Sequence, residues 1–212
     1  SYLSALAFAP TDPDRVYAVT DVGRLFFSTD HGVTWTESSD PAPPQHYFYG
    51  NAITVHPDDP LEVAVGGSGY STSGVIRSLD GGQTWGTDVF PSTVDAIPGD
   101  PVFRRNSHPA IAADRSTGPH SGNVYIAWAD DRNGDPDILF VRSTDGGATW
   151  SAPIRVHDDT PGNGADQWFP SLYVDPKGRL IATFYDRRRF PGNRPYEMWG
   201  AISRDGGQTF DT

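Results

Sequence analysis

One eight-residue segment occurs four times, and this recurrence constrains the fold more than any other feature. The copies are Ser28-Thr-Asp30-His-Gly32-Val-Thr34-Trp35, Ser78-Leu-Asp80-Gly-Gly82-Gln-Thr84-Trp85, Ser143-Thr-Asp145-Gly-Gly147-Ala-Thr149-Trp150 and Ser203-Arg-Asp205-Gly-Gly207-Gln-Thr209-Phe210. Their Asp residues lie 50, 65 and 60 positions apart. Each position has a physical role. An Asp carboxylate accepts hydrogen bonds from its own turn, a Gly supplies positive φ, and a large aromatic fills space between neighbouring sheets. None of these roles requires chemistry on a substrate.

The segments before each box repeat as well. Ala5–Ala9, a Thr11-Asp12-Pro13-Asp14 turn and Arg15–Val19 precede the first. Ala52–His56, Pro57-Asp58-Asp59-Pro60 and Leu61–Val65 precede the second. Ala110–Ala113 and Asn123–Trp128 precede the third, and Ser171–Val174, Asp175-Pro-Lys-Gly178 and Arg179–Phe184 the fourth. A third apolar run leads into each box. The unit is therefore four antiparallel strands with the box between the third and fourth, which is a propeller blade. The expected fold is an all-β β-propeller with four visible blades, approximately 1–49, 50–105, 106–166 and 167–212, forming a single propeller segment. A blade buries its faces only against neighbours, so four blades ending at Thr212 suggest part of a larger ring, completed by further blades of the same protein or by a second chain.

Composition agrees. The chain has 23 Gly and 19 Pro among 212 residues. Of its 27 acidic residues, 24 are Asp and 3 are Glu, a bias towards turns and away from helices. The net charge of −11 argues against a nucleic-acid partner or an anionic membrane surface. No apolar run is long enough for a membrane-inserted helix. The absence of Cys excludes disulfides and thiol chemistry.

These boxes resemble the Asp-box, or bacterial neuraminidase, repeat, and the resemblance covers essentially the whole chain. The first half is similar to the repeats of sortilin-type and xyloglucan-hydrolase propellers. The second half resembles sialidase-like proteins, most clearly from Asp166-Gln-Trp-Phe-Pro170 to Tyr185-Asp186-Arg187-Arg188. The resemblance implies a secreted or surface-exposed bacterial protein whose ligand is a glycan or polysaccharide.

Blade geometry separates two faces. The boxes and Asp-Pro turns share one, which leaves the second face for a ligand. Asp130, Arg132, Trp168, Tyr185, Asp186, Arg187 and Arg188 gather in its loops as candidate sugar contacts, with Arg104, Arg105, Asn106 and His108 nearby. The open alternative is that each Asp–Arg pair braces a loop. The box residues Asp30, Gly32, Trp35, Asp80, Gly82, Trp85, Asp145, Gly147, Trp150, Asp205, Gly207 and Phe210 are expected to be structural.

Resemblance to exo-sialidases implies three Arg for the sugar carboxylate, a Tyr nucleophile paired with a Glu, and an Asp acid/base. This chain has no Arg-Ile-Pro signature, and Tyr196 and Glu197 are strand neighbours pointing to opposite faces. Thr20-Asp21-Val22-Gly23 is similar to the stretch carrying a catalytic Asp in xyloglucan hydrolases. Asp21, Asp186 and Tyr185 are thus the catalytic candidates, but no complete catalytic set is recognisable, and the expectation leans towards binding without catalysis. The alternatives are a glycoside hydrolase of exo-sialidase or endo-glucanase type, or a structural or protein-binding extracellular propeller. No cofactor is required; calcium is the one candidate, with Asp131, Asn133, Asp135 and Asp137 as alternating oxygen ligands.

Overall fold

A computed structural model describes residues 2–38, 49–68, 74–86, 92–95, 97, 107–190, 192 and 194–212. Short apolar runs alternate with Gly- and Asp-rich turns, and the described residues accordingly form strands and no helix. The first sheet is a meander of β1 (Leu3–Ala9), β2 (Asp12–Thr20), β3 (Leu25–Ser28) and β4 (Thr36–Glu37). The second contains β5 (Tyr49–Val55), β6 (Val63–Ser68) and β7 (Gly74–Ser78). The third contains β8 (Ala110–Ala113), β9 (Val124–Asp130), β10 (Asp137–Ser143) and β11 (Ile154–Arg155). The fourth has β12 (Gln167–Val174), β13 (Leu180–Asp186) and β14 (Glu197–Ser203), with a bridge from Ile202 to Asp211 where an outer strand would start. All pairings are antiparallel.

The core lies between blades. Ala7, Ala9 and Tyr17 of the first blade pack on Val55 and Val63 of the second. Ala64 and Val75 of the second meet Ile126, Leu139 and Val141 of the third. Tyr125, Phe140 and Val156 of the third meet Trp168, Leu180 and Phe184 of the fourth. Side chains alternate across each strand, so every blade presents one apolar face to each side. Trp85, Trp150 and Phe210 each pack into the junction between their own blade and the preceding one. The inner strands β1, β5, β8 and β12 together line an axial concavity of about 390 Å³.

All four boxes fold alike. The Ser hydroxyl donates to Asp Oδ1 at 2.7–2.8 Å and accepts from the N–H of the second box Gly at 2.7–2.9 Å. The Thr hydroxyl donates to Asp Oδ2 at 2.5–2.6 Å. Asp30 and Asp145 are held at about 2, chiefly by the Thr34 and Thr149 hydroxyls and their N–H groups. In Asp205 burial pushes upward, but bonds from Thr209, Ser203 and Gln208 outweigh it and lower the carboxyl. Gly81, Gly146 and Gly206, the first box glycines, have φ between +66° and +77° and lie against Arg15, Glu62 and His120 of the preceding blade. In the first box His31 takes this position at φ 61° and turns back so that Nδ1 sits 2.7 Å from Pro13 O.

Candidate functional site

Opposite the boxes, the loops of blades three and four are organised by two matching Asp–Arg turns. Asp130 ends β9 and is fully buried. Its Oδ1 accepts from the Arg132 N–H at 3.0 Å and from Arg132 Nε at 2.7 Å, and its Oδ2 accepts from Trp128 Nε1 at 2.8 Å. Arg132 also donates to the carbonyl of Thr93. Burial works to raise Asp130, yet these donors outweigh it and lower the carboxyl. Asp186 ends β13 in the same way: Oδ1 accepts from the Arg188 N–H at 2.7 Å and Oδ2 from Arg188 Nε at 2.7 Å. Arg188 reaches Asp158 at 2.6 Å as well, and Arg187 pairs with Asp166 at 3.3 Å. Both Asp–Arg turns therefore have the geometry of loop braces.

Beneath them lies a buried polar cluster. The Ile138 N–H donates to His157 Nε2 at 3.1 Å, and His157 Nδ1 lies 2.5 Å from Asp159 Oδ1 and 3.1 Å from Arg155 Nη2. Asp159 is held at about 2: burial pushes upward, but His157 and Asn163 more than compensate. Burial raises Asp137. Asp137, His157 and Asp159 bring three ligand atoms within 4.8 Å of one another, the one such group found among the described residues. The Arg155 guanidinium already serves this group, with Nη2 2.5 Å from Asp159 and Nε 3.3 Å from Asp137, and so supplies the positive charge a metal would bring.

The four candidate calcium ligands make hydrogen bonds within the protein. Asp135 accepts from the N–H groups of Gly162 and Gly164 at 2.9 and 2.7 Å, and Asn133 Nδ2 donates to Asp137. Asp131 lies beside other carboxylates; burial raises it, and Asp135, Asp166, Asp130 and Asp95 raise it further.

A ridge of aromatic rings connects these loops to the axis. His108 lines the axial concavity and meets Phe169 edge-on at 4.8 Å. Phe169 lies 6.2 Å from Tyr185, and Tyr185 lies 5.0 Å from Tyr196. Trp168 supports both tyrosines from below, at 5.8 and 5.4 Å, with the Arg187 guanidinium 4.5 Å from its ring. Trp168 is itself fully buried, Tyr185 is half-buried, and Tyr196 is 54% exposed. His108 and Phe169 both have positive φ, 36° and 51°, immediately before a proline. Such a backbone costs on the order of 1–3 kcal/mol and persists only where surrounding packing enforces it.

Of the residues singled out in the sequence, Trp168, Tyr185 and Arg187 lie together, with Asp186 and Arg188 adjoining them. Asp130 and Arg132 form the equivalent turn of the neighbouring blade. Asp21 sits in the corresponding loop of blade one, where its Oδ1 accepts from the Tyr2 N–H at 2.7 Å. Arg104, Arg105 and Asn106 lie outside the described residues. Sequence reasoning passed over Tyr196 as a ridge member, and it did not single out the paired His108-Pro109 and Phe169-Pro170 steps. Their signal is an aromatic ring before a proline, at the start of the inner strand in two successive blades.

The chain matches the BNR/Asp-box repeat family at residues 26–37 and 141–152. The boxes at Asp80 and Asp205 have the same hydrogen bonds. It is 34% identical over 158 residues to a sialidase of Micromonospora viridifaciens, covering 63% of this chain and 24% of that protein. The chain is an Asp-box propeller of the sialidase-like superfamily. A Paenibacillus xyloglucanase is 30% identical to this propeller over 194 residues, 81% of the chain and 18% of the relative. The solved GH74 enzyme of Niastella koreensis superposes with a TM-score of 0.56 at 18% identity, over 99% of this chain and 38% of that one. The propeller thus spans about a fifth to a quarter of the length of the curated relatives it matches. By their names, those relatives act on carbohydrate.

Proposed function

We propose that this propeller recognises carbohydrate at the second-face mouth of blades three and four, as a secreted or cell-surface protein. The aromatic ridge from His108 to Tyr196, opening onto the axial concavity, carries the reading. Partly exposed rings beside hydrogen-bonding groups suit a sugar, which has apolar C–H faces and polar edges. The names of the relatives support the same ligand class. The carboxylates of Asp130 and Asp186 are occupied by their own arginines, which favours binding over hydrolysis at those positions. Affinity electrophoresis through polysaccharide gels tests the proposal. Retardation of the intact chain, reduced in Tyr185→Ala, supports it; equal mobility in every gel refutes it.

The outer face of blade one favours a second, compatible role as a docking surface for further blades. Leu6, Phe8 and Trp35 are 42%, 50% and 40% exposed there. Their blade-two counterparts Ile53, Val55 and Trp85 pack against blade one. Such a face, equivalent to the one that blade two packs on blade one, suits a further blade. Concentration-dependent self-association, abolished by Leu6→Ser with Phe8→Ser, is the expected result for the isolated chain; a monomer at all concentrations counts against it.

A further inference from the structure

The charges around the ridge specify which kind of sugar it takes. A carboxylated or sulfated sugar needs a cation that is not already neutralised. Here Arg132 is matched by Asp130, Arg187 by Asp166, Arg188 by Asp186 and Asp158, and Arg189 by Glu197. The Nε of Arg187 and the Nη2 of Arg188 have no acceptor, but both atoms are buried and so closed to a ligand. Asp131, Asp135 and Asp95 add further negative charge beside Asp166, so that among the described residues carboxylates outnumber guanidinium groups around these loops. Burial is the main reason Asp131 is raised, and the nearby Asp135, Asp166, Asp130 and Asp95 carboxylates raise it further. Among the described residues of the 187–197 loop, Arg194 alone makes no ion pair, and it is exposed. A lone exposed cation in such a field holds an anion weakly.

We propose that the ridge selects neutral glycans and rejects those whose contacting residues carry a carboxylate. The rings contribute stacking, which needs no charge, and the acidic surround disfavours sialosides and uronates through like-charge repulsion that is strongest at low salt. This inference rests on the carbohydrate-binding reading above and narrows it.

The test compares neutral xyloglucan, arabinan and mixed-linkage β-glucan with polygalacturonate and 3′-sialyllactose, using calorimetric titration of the intact chain at low and high salt. Expected are saturable binding to at least one neutral glycan, little change with salt, and about a ten-fold loss in Tyr196→Ala, where Tyr196 is 54% exposed. No binding is expected for the two anionic ligands at low salt. Binding of an anionic ligand, lost in Tyr196→Ala or in Arg194→Gln, would overturn the neutral-glycan assignment and leave the carbohydrate reading intact. Binding of a neutral glycan unaffected by Tyr196→Ala would overturn the ridge as its site. Failure of every ligand would overturn the carbohydrate reading itself. Circular dichroism of each variant separates loss of fold from loss of binding.

Discussion

At Gly206 two constraints coincide: φ is +69°, and an added Cβ would lie 2.6 Å from His120 Nδ1 of the preceding blade. A Gly206→Ala variant should lose about 1–3 kcal/mol of stability in denaturant titration. His31→Gly, at the equivalent position with no such neighbour, should change stability by less than about 1 kcal/mol. The His in the first box is thus legible only in three dimensions, because its contacts among the described residues, Pro13 and Phe8, belong to its own blade. The box carboxylates also set an acid limit. Asp30 and Asp145 are held at about 2 against an ordinary 3.8, so the folded state keeps them charged where the unfolded chain would protonate them. Their contribution is complete above about pH 4 and disappears as the pH falls through about 2. Melting temperature should fall over that interval, and less steeply in Asp145→Asn, whose side chain no longer titrates.

Among the elements, strands and boxes were readable from sequence because each depends on local rules. Period-two apolar runs form strands, and Ser-x-Asp-x-Gly-x-Thr closes its own hydrogen bonds. The second-face loops depend on contacts between blades, which no local pattern encodes. The Asp130–Arg132 and Asp186–Arg188 turns were visible as a matched pair, but that both carboxylates are sealed follows from Trp128 and Gln167 closing over them. Tyr196 was read only against a catalytic Tyr–Glu pair, and its place on the ridge became evident through Trp168 and Tyr185. The box aromatics show how context changes one element's energetics. Trp150 packs into the junction of blades two and three, whereas Trp35 covers an open face. Trp150→Ala should cost about 3–5 kcal/mol and Trp35→Ala markedly less, as measured by chemical unfolding.

For the whole molecule, the four-blade arc assigns different roles to its two faces. One carries four closed turns, three of which pack against the preceding blade. The other carries strained aromatic–proline steps, buried Asp–Arg braces and a ridge of rings opening onto the axis. Strain and partly exposed aromatics concentrate on the face with variable loops, where a propeller has freedom to build a site. Hydrogen–deuterium exchange of the intact chain, with and without a saturating neutral oligosaccharide, tests this division most directly. The account predicts slowed exchange in segments 107–110, 166–170 and 185–198, with the four boxes unchanged. Protection confined to the boxes, or none at a ligand concentration that saturates binding, would contradict it.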